Sequence, residues 1–146
     1  MHSHPATIKP HQAGFTLIEI MVVIVILGIL AALVAPNVIR RIDDANVVKA
    51  KQDIRAYETA LNLYRMDNFK YPTTDQGLKA LVEKPADVPN WKVGGYLQGL
   101  RKDPWGHDYV FLSPGTRGEF DLYTLGADGQ PGGEGNDADI GNWNID

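Results

Sequence analysis

Two places in this sequence hold ionisable side chains where something must answer them. The first is Glu19, the single charged residue in the apolar run from Phe15 to Ala35, FTLIEIMVVIVILGILAALVA. A carboxylate inside such a run costs about 3 kcal/mol on insertion scales, so it marks a functional position by default. If the chain is cut after Gly14, the new amine of Phe15 stands one helical turn from Glu19, and a neighbouring copy can offer the same cation. The second place is Leu125 to Gly141, LGADGQPGGEGNDADIG, where Asp128, Asn136, Asp137 and Asp139 lie among glycines. Their side-chain oxygens, with backbone carbonyls freed by the glycines, could supply the roughly six to eight oxygens that calcium takes. The spacing of an EF-hand is absent, and no G-x-G-x-x-G opens a helix, so neither that motif nor a phosphate loop is indicated. A solvated acidic turn is the competing reading.

Other chemistry has little raw material. There is no cysteine, which removes disulfides, thiolate metal sites and a cysteine nucleophile. The only serines are Ser3 and Ser113, and His2, His4 and His11 fall in the first eleven residues, so a serine triad is not supported. The early histidines could hold a transition metal, but a leader accounts for them as well. His107 reads as a turn residue. A net charge of −4 without a basic face argues against nucleic acid as a partner.

The elements that must position these residues follow from patterning. Phe15 to Ala35 as a helix is about 31 Å long, the thickness of a bilayer core, and reads as a membrane span. The preceding residues, 1–14, are polar and read as a leader. Their cleavable junction lies before the apolar run, so cleavage would leave the span attached, unlike a secretory signal peptide. Lys9 on one side and Arg40 and Arg41 on the other leave the orientation open on charge alone. Beyond the span, Ile54, Tyr57, Leu61 and Tyr64 recur at helical spacing and predict one buried face. A nearly continuous helix from Phe15 to Asn68 would be about 80 Å long. A domain of this size cannot cover it, so its apolar half needs lipid or copies of itself. Pro36, with Gly28 two turns earlier, predicts a kink or local unwinding. The charges from Arg40 to Glu58 fit a solvated face or a contact between subunits, and the pattern does not choose.

After Asn68 a glycine-rich head begins, since 12 of the 15 glycines follow Val93. Thr73 and Gln76 fit a capping box opening a short helix through Leu78 and Leu81, which Pro85 ends. Residues 89–104 read as loop. Asp108 to Leu112 and Glu119 to Leu125 read as strands, joined by a hairpin connection at Pro114 to Gly118. The fold class is α+β with a small antiparallel sheet.

The junction Ala13-Gly14-Phe15-Thr16-Leu17-Ile18-Glu19 opening an apolar helix resembles the leader junction of type IV pilins and pseudopilins. The segments Tyr71 to Val82, Asp103 to Phe111 and Leu125 to Trp143 narrow this, because they are similar to the major pseudopilins of the type II secretion system. With the N-terminal helix they cover most of the chain.

The resemblance implies a type IV pilin-like fold divided into a prepilin leader (1–14), a transmembrane assembly helix (15–35), an amphipathic helix (36–68) and a periplasmic head (69–146) carrying a calcium loop (125–141). It implies a single-pass inner-membrane subunit, cut after Gly14 and methylated on Phe15 by a prepilin peptidase. Such a subunit is not an enzyme. It polymerises with itself into a periplasmic pseudopilus that drives folded proteins across the outer membrane, with minor pseudopilins and the inner-membrane secretion platform as partners. Calcium would be the cofactor, with Asp128 as one ligand and Leu125 and Gln130 as carbonyl donors. Asp137 and Asp139 both fit as the second carboxylate. A major type IV pilin is the alternative within the superfamily, although many of those close a C-terminal loop with a disulfide. A monomeric membrane-anchored calcium-binding receptor domain is the alternative outside it.

Overall fold

The computed structural model describes residues 13–146, so expectations that fall on His2, His4, Lys9 and His11 lie outside the described residues. One helix, α1, runs from Leu17 to Asn68. The chain divides within that helix into a stem unit ending at Ile39 and a head unit from Arg40 to Asp146.

In the stem unit every described residue is exposed. Its part of α1 is long and apolar enough to cross a membrane. α1 passes through Gly28 and Pro36 as one continuous helix. The reason is local. Proline removes one donor, the bond to the Ala32 carbonyl, and the backbone bonds of the turns before and after it carry the helix past that position.

In the head unit α1 becomes amphipathic, and Ala50, Ile54, Tyr57, Ala60, Leu61 and Tyr64 are buried in one core with Leu81, Val88, Phe111, Leu122 and Ile140. The predicted stripe is therefore the face that packs. The sheet has three antiparallel strands in the order β1 (Val110–Leu112), β2 (Asp121–Thr124) and β3 (Ile140–Gly141). Phe111 faces Leu122 across the first pair, so two core side chains set that register.

Both predicted strands exist but are shorter than expected, and β3 was not anticipated. It is only two residues long, and beside it the Asn142 side chain takes the place of further ladder bonds. Asn142 accepts from the Leu122 N–H at 3.0 Å and donates to the Phe120 carbonyl at 3.1 Å. The hairpin connection is organised by Asp121, which accepts from Thr116 N–H (2.8 Å), the Thr116 hydroxyl (2.7 Å) and Arg117 N–H (3.1 Å). A side chain at Gly115 would meet the Phe120 backbone at 2.6 Å, so only glycine fits beneath the turn.

The capping box forms, with Thr73 N–H donating to Gln76 at 3.0 Å and Gln76 N–H to the Thr73 hydroxyl at 3.2 Å. It closes its own turn and does not cap the helix. Gly77, at φ 61°, turns the chain first, and Leu78–Leu81 then forms a single 3-10 turn.

Candidate functional site

The start of α1 builds the first site. Thr16 caps the helix: its hydroxyl accepts the Glu19 N–H at 3.3 Å, while Glu19 reaches back to the Thr16 N–H at 2.9 Å. This is a reciprocal capping box, whose signal in the sequence is the spacing Thr16-x-x-Glu19. It leaves Glu19 at the exposed N-terminal turn, beside the positive end of the helix dipole. In the uncut chain the Phe15 nitrogen is a peptide nitrogen, so an ion pair with Glu19 is chemistry for a cleaved chain.

The head end of α1 carries a different use of charge. Asp53 is only 4% exposed and accepts from Lys49 (2.6 Å), the Tyr109 hydroxyl (3.1 Å) and Arg101 (3.4 Å). Burial, and then the neighbouring Asp53 carboxylate, push the Tyr109 hydroxyl well above the ordinary tyrosine range, which keeps it a donor. Arg55 donates to the Ile145 carbonyl at 3.0 Å, fastening the C-terminal end of the head. Several charges that the sequence left between solvent and subunit contact thus act inside the head.

The C-terminal loop is the second site. Its start is anchored by buried Asp103, which accepts the N–H groups of Trp105 (3.0 Å) and His107 (2.8 Å) on one oxygen and the Thr124 hydroxyl on the other. The same Thr124 oxygen accepts the Gly126 N–H at 3.3 Å. Gly126, at φ 73°, lets the two arms of the loop meet, since a Cβ there would lie 2.8 Å from the Asp137 backbone. Ala127 N–H then donates to the Asn136 carbonyl at 3.0 Å and ties the arms together.

Within the loop, Asp128 is exposed and accepts the Gln130 N–H at 3.0 Å. Leu125 is half-buried and Gln130 exposed. Asn136 and Asp139 are half-buried, whereas Asp137, closing the 3-10 turn Gly135–Asp137, is exposed. Asp139 accepts the Gly132 N–H at 3.0 Å through one oxygen, while its Oδ1 is shut from solvent without a donor. The Oδ1 of Asn136 is equally buried and equally without a donor. Orphaned oxygens of this kind cost about 1–3 kcal/mol each, and each is an oxygen of the type that a hard cation takes. Among the described residues no three acidic or histidine side chains converge on one point, so any cation here would also depend on amide and carbonyl oxygens. Asn136 also donates to Asp43 of α1 at 3.2 Å, a contact between residues 93 positions apart that no local pattern announces.

Comparison with known proteins agrees with the resemblance. Residues 37–143 match the family described as Type II secretion system (T2SS), protein G, and residues 9–35 match the prokaryotic N-terminal methylation motif. The type II secretion system core protein G of Pseudomonas aeruginosa is 62% identical over 138 residues, covering 92% of this chain and 97% of that protein. That of Vibrio cholerae is 60% identical over 136 residues, covering 92% and 93%. The crystal structure of the major pseudopilin from the type 2 secretion system of enterohaemorrhagic Escherichia coli aligns with a TM-score of 0.63 and 45% identity, covering 74% of this chain and 95% of that one. With a matched family spanning most of its length, a methylation motif at the start of α1 and the same helix-and-sheet head, the chain belongs to the type II secretion system protein G family.

Proposed function

We propose that the chain is a structural, non-enzymatic subunit that polymerises into the pseudopilus of the type II secretion system and so helps to drive folded proteins across the outer membrane. The observation that carries this reading is a folded head joined to an apolar helix of which no described residue is covered. An apolar surface of that kind is kept from water by lipid or by packing against other helices. The subunit waits in the inner membrane as a single-pass protein with its head in the periplasm, and assembly moves the stem from lipid into the filament.

On this reading residues 1–14 are a leader removed after Gly14 by a prepilin peptidase, which methylates the new Phe15 amine. Glu19 then meets the Phe15 amine of its own or a neighbouring copy. The segment 15–35 is the assembly helix, 36–68 its amphipathic continuation and 69–146 the periplasmic head. Packed neighbours allow the helix to unwind between Gly28 and Pro36 in the filament, where freed backbone groups find other partners. Minor pseudopilins and the inner-membrane platform are the further partners.

Calcium is the cation that suits the loop at 125–141. Bound there, it supplies the positive charge that holds the acidic arms together. Asp128 contributes a carboxylate, Leu125 and Gln130 carbonyls, and Asn136 its orphaned amide oxygen. The orphaned oxygen of Asp139, against the exposed carboxylate of Asp137, favours Asp139 as the second acidic ligand.

Electron microscopy of cells producing the chain together with its peptidase tests the assignment. Thin filaments whose subunits have the intact mass of residues 15–146 plus one methyl group are expected. Membrane monomers alone, with no filament at any expression level, would favour the anchored receptor instead.

A further inference from the structure

We infer that Asp43 is a positioning residue for the calcium loop: from α1 it selects which end of the Asn136 amide faces the cation. This rests on the calcium reading above and goes beyond it to a residue outside the loop. A primary amide has one accepting end and one donating end, and it can turn over to exchange them. Only the accepting end serves a cation. Asp43 settles the choice, because an ionised carboxylate accepts and cannot donate. With Asn136 Nδ2 donating to Asp43 Oδ1 at 3.2 Å, the amide plane directs Oδ1 the other way. That oxygen is the one that is buried and has no donor.

Two further features suit the role. Asp43 lies on a long helix, which holds it more rigidly than another loop residue would. It is half-buried and enters no ion pair among the described residues, so its carboxylate is not diverted to a lysine or arginine. At the other end, the bond from Ala127 N–H to the Asn136 carbonyl fixes the backbone from which the amide projects. The side chain is thus held at both ends, with its one unsatisfied atom turned inward.

The test titrates the full chain in detergent micelles with calcium chloride, reading heat by calorimetry and head unfolding by tryptophan fluorescence, with EDTA as the metal-free reference. Asp43→Ala should bind calcium about tenfold more weakly, the lower end of the range for outer partners of metal ligands. Its unfolding midpoint in EDTA should stay close to wild type. Asp43→Asn offers an acceptor but also a donor, so it selects the amide end less strictly and should lose less affinity than Asp43→Ala. Asp43→Lys can only donate, turns the amide over, and should lose more than Asp43→Ala. This Asn and Lys pair also decides the matter if the alanine variant fails to fold. Unchanged calcium affinity in Asp43→Ala and Asp43→Lys, with normal binding in wild type, overturns the positioning role and leaves the calcium site standing. Equal losses in the Asn and Ala variants also overturn it, because charge at a distance would then account for the effect. A wild-type chain that neither takes up calcium nor shifts its unfolding on adding it overturns both readings.

Discussion

Between Leu17 and Ile39 every residue of the helix α1 is exposed, whereas between Ala50 and Tyr64 the same helix buries seven residues. Backbone conformation does not distinguish the two regions. Side-chain pattern does: the first is apolar on all sides, and the second is apolar only along the stripe of Ile54, Tyr57, Leu61 and Tyr64. A one-sided stripe can be satisfied within a single chain, because one folded head covers it. An all-round apolar surface cannot, so its partners come from outside the chain. The difference teaches that stability of the head and assembly of the stem are separable properties carried on one element.

The strongest way to break that separation is at Glu19. Glu19→Ala should reduce filament yield by tenfold or more in quantitative microscopy, while the span still inserts and the head unfolds as in wild type. Glu19→Gln sharpens the result, because glutamine preserves the capping box with Thr16 and removes only the charge. Filaments lost in both variants assign the role to the charge; filaments kept in Glu19→Gln assign it to the cap. A lowered head unfolding midpoint in either would show that the two regions are coupled after all.

The converse substitution lies in the head. Leu61 is fully buried, and Leu61→Ala should cost about 2–5 kcal/mol of head stability through lost contacts and the cavity left behind. Trp91, Trp105 and Trp143 all lie in the head, so tryptophan fluorescence reports its unfolding alone. Membrane insertion of the stem should be unaffected. A change in insertion would contradict the division.

A smaller effect is expected from the loop. If the loop takes calcium, a hundredfold excess over its Kd would add about 2.7 kcal/mol to the folded head, or about 10 °C in Tm. Asp128→Ala and chelation should each remove that increment, and chelation should do little more to the mutant. Proteolysis between Gly129 and Gly135 should rise in step. If EDTA leaves the wild-type midpoint where it was, the loop is an acidic turn and the cation reading fails.

The smallest effect concerns acid. Burial would raise the Asp121 pKa, but hydrogen bonds from the Thr116 hydroxyl, the Thr116 N–H and the Arg117 N–H outweigh it and hold the group below its ordinary 3.8. Its stabilising contribution is therefore complete above that value and is lost as pH falls through the lower folded-state value. Fluorescence-monitored acid titration should show the head weakening below about pH 4, and Asp121→Asn should flatten that part of the curve. An unchanged curve would mean that other carboxylates govern the acid limb.

Much of the architecture was readable along the chain, because its determinants are local. The apolar length of 15–35, the helical spacing of the stripe and the hairpin connection at 114–118 each depend on near neighbours and survive without knowledge of the fold. The Thr16 and Glu19 capping box is equally local, carried by a spacing of three residues. Gly28 and Pro36 mark a weak point of the helix along the chain, and one missing donor does not by itself end it in the isolated subunit. The candidate loop was legible as a composition of acids and glycines, but not which oxygens it would leave without donors. That choice, like the two-residue strand β3 and the bond from Asn136 to Asp43, depends on groups brought together from distant parts of the chain. Sequence by itself determined the helix, its apolar stem and the composition of the head. Only the tertiary structure decided which charges turn inward and which atoms meet, because burial and hydrogen bonding across about ninety residues leave no periodic trace in the order of the amino acids.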